Sequence, residues 1–139
     1  MVQIISGDKG KGKTKHLLDS VNAAVTTAEG SVVYIDKSSK HMYELSNKVR
    51  LINITDYPVK SYEAFIGFIS GIISQDHDLE KLYIDSFLKV SCLEGKDITE
   101  AIDLLDKIST RFGVDFILSV SADADTFSES VKSHVLISL

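Results

Sequence analysis

The sequence predicts an α/β fold, a three-layer sandwich built on a mainly parallel sheet of five or six strands. Short runs of β-branched residues alternate with segments of helical periodicity along the whole chain, a pattern typical of parallel strands joined by covering helices. The 139 residues, 44% of them hydrophobic, are enough for one compact domain with a core and too few for two. We therefore expect a single domain over residues 1–139.

The strands are predicted from short apolar runs, and the helices from apolar positions three and four residues apart. The strand candidates are Val2–Ser6, Val32–Ile35 (ending at Asp36), Arg50–Ile54, Leu82–Asp85, Phe116–Val120 and Val135–Ser138. The helix candidates are Thr14–Ala28, Ser39–Asn47, Ser61–Ser74, a segment from Asp97 to Gly113, and Thr126–Val131. Arg50–Ile54 is an extra strand and is expected at an edge. Asp97 and Glu100 form a capping-box pattern, and Gly113 is a stop signal.

The helix that begins at Ser61 is apolar around most of its surface, so we expect it to be buried on more than one side. Gly67 and Gly71, four residues apart, would let another backbone approach closely. That backbone would belong either to the sheet of the same chain or to a second subunit.

A glycine-rich segment follows the first predicted strand and precedes the first predicted helix. It reads Gly7-Asp8-Lys9-Gly10-Lys11-Gly12-Lys13-Thr14 and has the spacing Gly-x-x-x-x-Gly-Lys-Thr. A chain of this composition should match that spacing by chance on the order of once in a hundred. Glycines let backbone N–H groups turn toward an anion, and the start of a helix adds the positive end of its dipole. The segment therefore predicts a loop that holds the phosphates of a nucleoside triphosphate.

The predicted nucleotide-binding residues are consecutive. They are Gly7, Asp8, Lys9, Gly10, Lys11, Gly12, Lys13, Thr14 and Lys15. Lys13 is expected to reach the β- and γ-phosphates and so to have a catalytic role as well. Lys9 and Lys11 would add positive potential, with solvated loop lysines as the alternative.

A magnesium ion (Mg2+) beside these phosphates needs oxygen ligands from the protein. The Thr14 hydroxyl is one candidate ligand. Asp85, which closes an apolar strand, is the expected carboxylate and the second catalytic candidate. The predicted metal site is therefore Thr14 with Asp85, and the predicted cofactors are ATP and Mg2+.

Through the loop Gly7–Thr14 and through Asp85, the chain resembles the P-loop NTPases over nearly its whole length. A full strand and helix lie between the loop and Asp85, so the chain looks like the RecA-like, additional-strand (ASCE) division. That resemblance implies the core strand order 5-1-4-3-2, with Phe116–Val120 between the strand that precedes the loop and the strand that ends at Asp85. The chain is also similar to short bacterial proteins labelled as relatives of the twitching-motility retraction ATPase.

Hydrolytic members of that family usually carry a Glu that orients the attacking water, either directly after this Asp or at the end of a nearby strand. Here Ser86 follows Asp85. Ligands of open α/β sheets lie at the carboxyl ends of the strands, and Asp36 at such an end is our first choice for the base. Three residues at the end of the fourth core strand and just beyond it are candidates for contact with the γ-phosphate or the water, with strand-end capping as the alternative: Ser119, Ser121 and Asp123.

Two further features have a functional and a plainer interpretation. Arg50 and Arg111 are the only arginines, so an arginine finger in cis or from a neighbouring subunit would be one of them. Arg111 lies near a predicted helix end, where an interaction with the helix dipole is the alternative. Residues 76–78 (Asp-His-Asp) suit a metal site, with a solvated loop as the alternative.

The motifs support two main functions, an ATPase that releases ADP and phosphate, and a nucleotide-responsive binding module with slow or no turnover. A small-molecule phosphotransferase is a third, although no arginine-bearing lid is evident. ATP is favoured over GTP because no Asn-Lys-x-Asp motif is present; Asn47-Lys48 continues as Val49-Arg50.

The remaining composition bears on location and partners. The net charge of −5 gives no clear signal for nucleic acid or anionic lipid. The start of the chain does not have the pattern of a signal peptide, and no apolar run approaches the roughly 20 residues of a membrane span. We expect a cytoplasmic protein, with a homo-oligomer or a protein partner left open.

Overall fold

The computed structural model describes residues 1–139 and contains six strands and five α-helices. The strands are β1 (Val2–Ser6), β2 (Ser31–Asp36), β3 (Arg50–Asn53), β4 (Leu79–Ile84), β5 (Asp115–Val120) and β6 (Val135–Ser138). The helices are α1 (Lys13–Ala24), α2 (Tyr62–Ser74), α3 (Phe87–Val90), α4 (Thr99–Phe112) and α5 (Glu129–Lys132). No helix has the length and apolarity that crossing a membrane requires.

The six strands form one parallel sheet in the order β3-β2-β4-β5-β1-β6. When β3 is left out, β1, β2, β4, β5 and β6 are core strands 1 to 5. Read from β6, their order is the predicted 5-1-4-3-2, with β5 between β1 and β4. The extra strand β3 pairs with β2 at one edge of the sheet, as expected for Arg50–Ile54. The predicted fold class is therefore confirmed.

The side chains of each strand alternate between two apolar layers, one on each face of the sheet. In β2, Val33 and Ile35 belong to the larger layer, which also includes residues of α2 and α4. Val32 and Tyr34 belong to the smaller layer, which includes the buried face of α1. Helices on both faces make the three-layer sandwich.

The strand register brings the ends of the four central strands together. Ile84 of β4 pairs with Ile35 on one side and with Leu118 on the other, and Ser6 of β1 pairs with Val120. The residues that follow these pairs therefore lie side by side. We call this end of the sheet, where β1, β2, β4 and β5 finish, the carboxyl end, and the opposite end the amino end.

The helix predicted over Ser39–Asn47 was wrong. The structure has only a single 3-10 turn there, Met42–Glu44. Met42 and Tyr43 are both exposed, so the segment has no apolar face with which a longer helix could pack on the sheet.

Several predicted boundaries were also wrong by a few residues because local side-chain and 3-10 hydrogen bonds replace the regular pattern. α1 ends at Ala24 rather than Ala28, and the Thr26 and Thr27 N–H groups bond to carbonyls three residues back. β3 ends before Ile54, where the Asn53 side chain accepts from the Thr55 N–H. The segment 126–131 is split, with α5 starting only after Ser128, whose hydroxyl caps the Val131 N–H.

The capping box predicted at the start of α4 was wrong. Asp97 accepts a hydrogen bond from the Thr99 N–H at 2.8 Å, two residues on, and the cap position is Ile98, which offers no side-chain acceptor. Gly113 closes the helix in the left-handed conformation, as predicted. α3, a single turn directly after β4, was not predicted, because its apolar residues resemble a strand continuation.

In α2, the predicted cap is confirmed: Ser61 accepts from the Ala64 N–H at 3.1 Å. Only one side of the helix is fully buried, through Phe65, Ile69 and Ile73. Gly67 and Gly71 are exposed, and no atom lies within 4 Å of a β-carbon added at either. The sheet is therefore not the close partner of these glycines, and the alternative, a second subunit, stays a prediction.

Candidate nucleotide-binding site

The loop between β1 and α1 carries a run of backbone donors without partners. From Asp8 to Lys15, only the Lys11 N–H donates to an acceptor within the protein, the Asp8 carbonyl at 3.3 Å. Gly10 and Gly12 have φ of +82° and +91°, a conformation that L side chains rarely adopt. Gly12 is also the residue at which α1 begins. Free N–H groups and a helix start in one loop are features typical of anion-binding sites.

Lys13 is the one lysine of the loop whose side chain is buried, with 7% of it exposed. Its Nζ donates to the Asp8 carbonyl at 2.9 Å. Burial lowers the pKa of Lys13, while the negative charges of Asp85 and Asp8 work against that shift. The ammonium group has no carboxylate in an ion pair with it, so an anionic ligand would be its first full counter-charge.

A polar cavity of about 510 Å3 opens beside the loop at the carboxyl end. On one side it is lined by Lys9, Gly10, Gly12, Lys13 and Thr14. The opposite side consists of Asp85, Ser86, Ser119 and Ser121, together with Lys37, Lys40 and His41 after β2. Its volume is within the range of small-molecule sites, and no hydrophobic residue lines it.

Asp85 is buried at the end of β4 and accepts four hydrogen bonds. Oδ2 accepts from the hydroxyls of Thr14 and Tyr34, each at 3.0 Å. Oδ1 accepts from Ser119 Oγ at 2.6 Å and from the Ser86 N–H at 2.9 Å. Burial, and then the charge of Asp85, raises the pKa of Tyr34 far above its usual range, so this hydroxyl remains a donor. The carboxylate is thus fixed in one orientation beside Thr14.

Asp36, at the end of the neighbouring strand β2, is also buried but only half paired. Its Oδ1 accepts from the Lys37 N–H at 2.7 Å, whereas Oδ2 has no hydrogen-bond partner. Burial raises the pKa of Asp36, and the charge of Asp85 adds to the shift. Asp36 does not line the 510 Å3 cavity and lies behind Lys37, which does.

The two oxygen-bearing side chains predicted to hold Mg2+ are in contact, since the Thr14 hydroxyl bonds to Asp85. No group of three or more His, Cys, Asp or Glu side chains is placed to hold a metal. A hard cation at Thr14 and Asp85 would therefore need further oxygen ligands from phosphates and water, which is how Mg2+ is commonly bound. The residues present fit a magnesium–phosphate site.

The other candidates separate into those at this site and those elsewhere. Ser119 and Ser121 line the cavity, whereas the Asp123 carboxylate caps a turn by accepting from the Asp125 N–H. The Lys15 side chain pairs with Asp19 on the surface, so only its backbone N–H belongs to the loop. Arg50 begins β3 and therefore lies at the amino end.

Arg111 and residues 76–78 are also at the amino end of the sheet. Arg111 lies over the ring of Phe112 in the last turn of α4, which leads into β5. Residues 76–78 form the turn before β4, in which Asp76 accepts from the Asp78 N–H at 3.0 Å. Neither arginine of the chain is placed to contact the loop in cis.

The sequence reasoning missed Tyr34, Lys37, Lys40 and His41. Lys37, Lys40 and His41 follow β2 directly, so the position of β2 next to β4 was a signal that could have found them. Tyr34 gave no such signal, because a tyrosine in a strand core is explained by packing alone.

No family model and no curated protein matches this sequence. Among solved structures, a KaiC-like protein from the hyperthermophilic archaeon Pyrococcus horikoshii is similar, with 16% sequence identity and a TM-score of 0.62. The similarity covers 95% of this chain and 66% of that protein's length. It shows the fold, the α/β sandwich with a parallel sheet that the sequence predicts for a P-loop NTPase. The narrower resemblance to twitching-motility ATPase-like proteins stays a prediction.

Proposed function

We propose that residues 1–139 form a single Mg2+-dependent ATP-binding domain that hydrolyses ATP to ADP and phosphate. The observation that carries the proposal is the 3.0 Å hydrogen bond between Thr14 and Asp85, beside a loop whose backbone donors are unpaired. It joins the end of β4 to the start of α1, the two elements that a magnesium–triphosphate ligand has to bridge.

Each residue has a role that follows from its position. The loop N–H groups and Lys13 bind the β- and γ-phosphates and stabilise the charge that grows on them during transfer. Thr14 and Asp85 would hold the magnesium ion, which would supply further charge neutralisation. Ser119 and Tyr34 are positioning residues, because they fix the orientation of Asp85.

Asp36 is the proposed base because the backbone disfavours the usual alternative. Ser86, where a Glu would stand, has φ 54° and ψ 51°, a left-handed conformation that costs a long L side chain about 1 kcal/mol. Asp36 is buried, has a free oxygen and has a raised pKa, all of which favour proton acceptance from water. A small movement of Lys37 would connect Asp36 to the cavity.

The alternative is a nucleotide-responsive module without turnover. It is favoured by the absence of both arginines from the carboxyl end and by the position of Asp36 behind the cavity wall. A small-molecule phosphotransferase remains the third candidate, since Lys37 and Lys40 extend the cavity beyond Asp85.

Binding is tested by calorimetric titration with ATP and Mg2+. We expect Lys13→Ala to lower the affinity at least a hundredfold, because it removes a buried cation from the phosphates. Lys15→Ala is the matched control, a lysine of the same segment whose side chain faces Asp19, and should change the affinity less than threefold. Equal affinity of the Lys13→Ala and wild-type proteins would disprove the loop assignment.

Turnover is tested by steady-state phosphate release. Asp36→Asn should lower the rate at least a hundredfold while ATP still binds, and Asp123→Asn, outside the cavity, should leave it unchanged. An undetectable wild-type rate at every protein concentration would favour the binding module. A rate per molecule that rises steeply with concentration would indicate a site completed by a second subunit.

A further inference from the structure

A second cavity, of about 580 Å3, adjoins the first on the side of β3. Four lysines line it: Lys37, Lys40, Lys60 and Lys89. Two of them, Lys37 and Lys40, also line the 510 Å3 cavity, so the two cavities adjoin at these side chains. The lysines come from three separate segments, after β2, before α2 and within α3. Their convergence is thus a product of the fold.

None of these four lysines forms an ion pair. The ion pairs of the chain involve the Met1 amino group, Lys15, His41, Lys81 and Lys132. The chain as a whole has a net charge of −5, so carboxylates are plentiful elsewhere. Four like charges around one concavity raise its positive potential and concentrate anions there.

One wall of the second cavity is apolar and aromatic. Its residues are Ile54, Val59, Val90 and Tyr57, the last of which is 50% exposed. The Tyr57 ring rests on Phe68 of α2, with 5.4 Å between ring centroids. The two rings are tilted by 47°, and this contact holds the Tyr57 ring in place while half of the residue remains exposed to a ligand.

We propose that this second cavity binds a phosphate monoester that carries an aromatic group. The lysines match the dianionic phosphate, and Tyr57 with Ile54 and Val59 matches the ring. The volume suits a ligand of nucleotide size or smaller, whereas an extended strand of nucleic acid would need an open groove. The proposal does not rest on ATP binding or hydrolysis, because the second cavity lies outside the phosphate loop.

The probe for this site is phenyl phosphate, titrated by NMR or calorimetry in low salt without nucleotide. We expect millimolar or tighter binding that persists in Lys13→Ala, where the phosphate loop is disabled. The double variant Lys60→Ala/Lys89→Ala should lose about tenfold in affinity, since two of four cations are removed. Lys107→Ala, an exposed and unpaired lysine of α4, is the control and should change nothing.

The aromatic part of the proposal has its own test. Phenyl phosphate should bind several-fold more tightly than inorganic phosphate to the wild-type protein, and Tyr57→Ala should abolish that difference. Tyr57→Phe should keep it, which separates stacking from loss of structure. Circular dichroism of all variants checks the fold, and the residues substituted at this site and in its control, Tyr57, Lys60, Lys89 and Lys107, are exposed.

Three results would overturn the proposal. The first is loss of phenyl phosphate binding in Lys13→Ala with no effect of Lys60→Ala/Lys89→Ala, which would put the probe in the phosphate loop. The second is no binding at all up to tens of millimolar. The third is lysine-dependent binding of a single-stranded oligonucleotide without binding of the monoester, which would make the surface a nucleic-acid site.

Discussion

The amino and carboxyl ends of the sheet use their polar groups differently. At the amino end they are paired within the chain: Lys81 with Asp115 at 3.0 Å, and the Ser31 N–H with the Asp78 carbonyl at 2.8 Å. At the carboxyl end a run of N–H groups, one oxygen of Asp36 and four lysines have no partner. Polar groups without partners in the chain are available to a ligand, so their concentration at one end suits that end to ligand binding. We expect amino-end substitutions to affect stability and carboxyl-end substitutions to affect binding.

The largest expected effect on stability is at Gly30, at the amino end. A β-carbon there would lie 1.9 Å from the Asp78 carbonyl oxygen, so the β2–β4 pair would have to separate. Gly30→Ala should lower the free energy of unfolding by about 3 kcal/mol, measured by urea denaturation. Gly71→Ala, an exposed helix position with open space around it, is the matched control and should raise stability by up to about 1 kcal/mol. Two equal losses would contradict the steric explanation.

The next prediction compares two stacked tyrosines whose hydroxyl groups have different partners, one charged and one neutral. Tyr34 donates to the buried Asp85 carboxylate, whereas the Tyr83 hydroxyl pairs with Ser20 at 3.1 Å. Tyr34→Phe should cost about 2 kcal/mol in thermal or urea unfolding, and Tyr83→Phe about 1 kcal/mol or less, because bonds to charged groups are stronger. Only Tyr34→Phe should also weaken Mg2+-dependent ATP binding. The same change in affinity for both would mean that Tyr34 does not act through Asp85.

Ionisable groups at the two ends of the sheet should also change the stability in opposite directions as pH rises. Asp36 is the example at the carboxyl end. Burial raises the pKa of Asp36 in the folded protein above its unfolded value near 3.8, so the folded state holds this proton more tightly. Stability therefore falls as pH rises from 3.8 through the folded pKa. Asp36→Asn lacks this penalty, so its advantage over the wild-type protein should be larger at pH 7 than at pH 4, by urea titration. An advantage that does not change with pH would show that Asp36 is not destabilised by ionisation.

The smallest expected effect on stability is that of the pair of Lys81 and Asp115 at the amino end. Partial burial tends to raise the pKa of Asp115, but hydrogen bonds from Lys81 and from the Met1 amino group hold it below its ordinary value. That stabilisation is present above pH 3.8 and is lost as pH falls through the folded pKa. Lys81→Ala should cost only about 0.5 kcal/mol at pH 7, because the pair is partly exposed, and progressively less as pH falls from 3.8 through the folded pKa of Asp115. ATP affinity should not change.

The strands and the phosphate loop could be predicted because both depend on local signals, whereas the sheet order was implied by the resemblance to the P-loop NTPases. β-branched runs indicated the strands, and the spacing from Gly7 to Thr14 indicated the loop and the start of α1. The segment after β2 was not predictable in the same way. Lys37 and Lys40 have ordinary sequence neighbours, and only the pairing of β2 with β4 brings them opposite the loop.

The errors had physical causes as well. Asp97 and Glu100 have the spacing of a capping box, but an Asx turn to Thr99 satisfied the Asp97 carboxylate first. The half-paired state of Asp36 was also beyond sequence reasoning, because it depends on which donors surround a strand end after packing. Its assignment as a base remains a proposal that phosphate release will test.

The lengths of the strands have a consequence for solubility. The two edge strands, β3 and β6, have four residues each, whereas the inner strands have five or six. An edge strand exposes unpaired backbone groups to which strands of other molecules can add, and a short edge limits that addition. On β6, however, Leu136 is 57% exposed. The β6 edge is therefore where strand-mediated aggregation would begin in a concentrated solution, and a charged residue at Leu136 is the substitution that would oppose it.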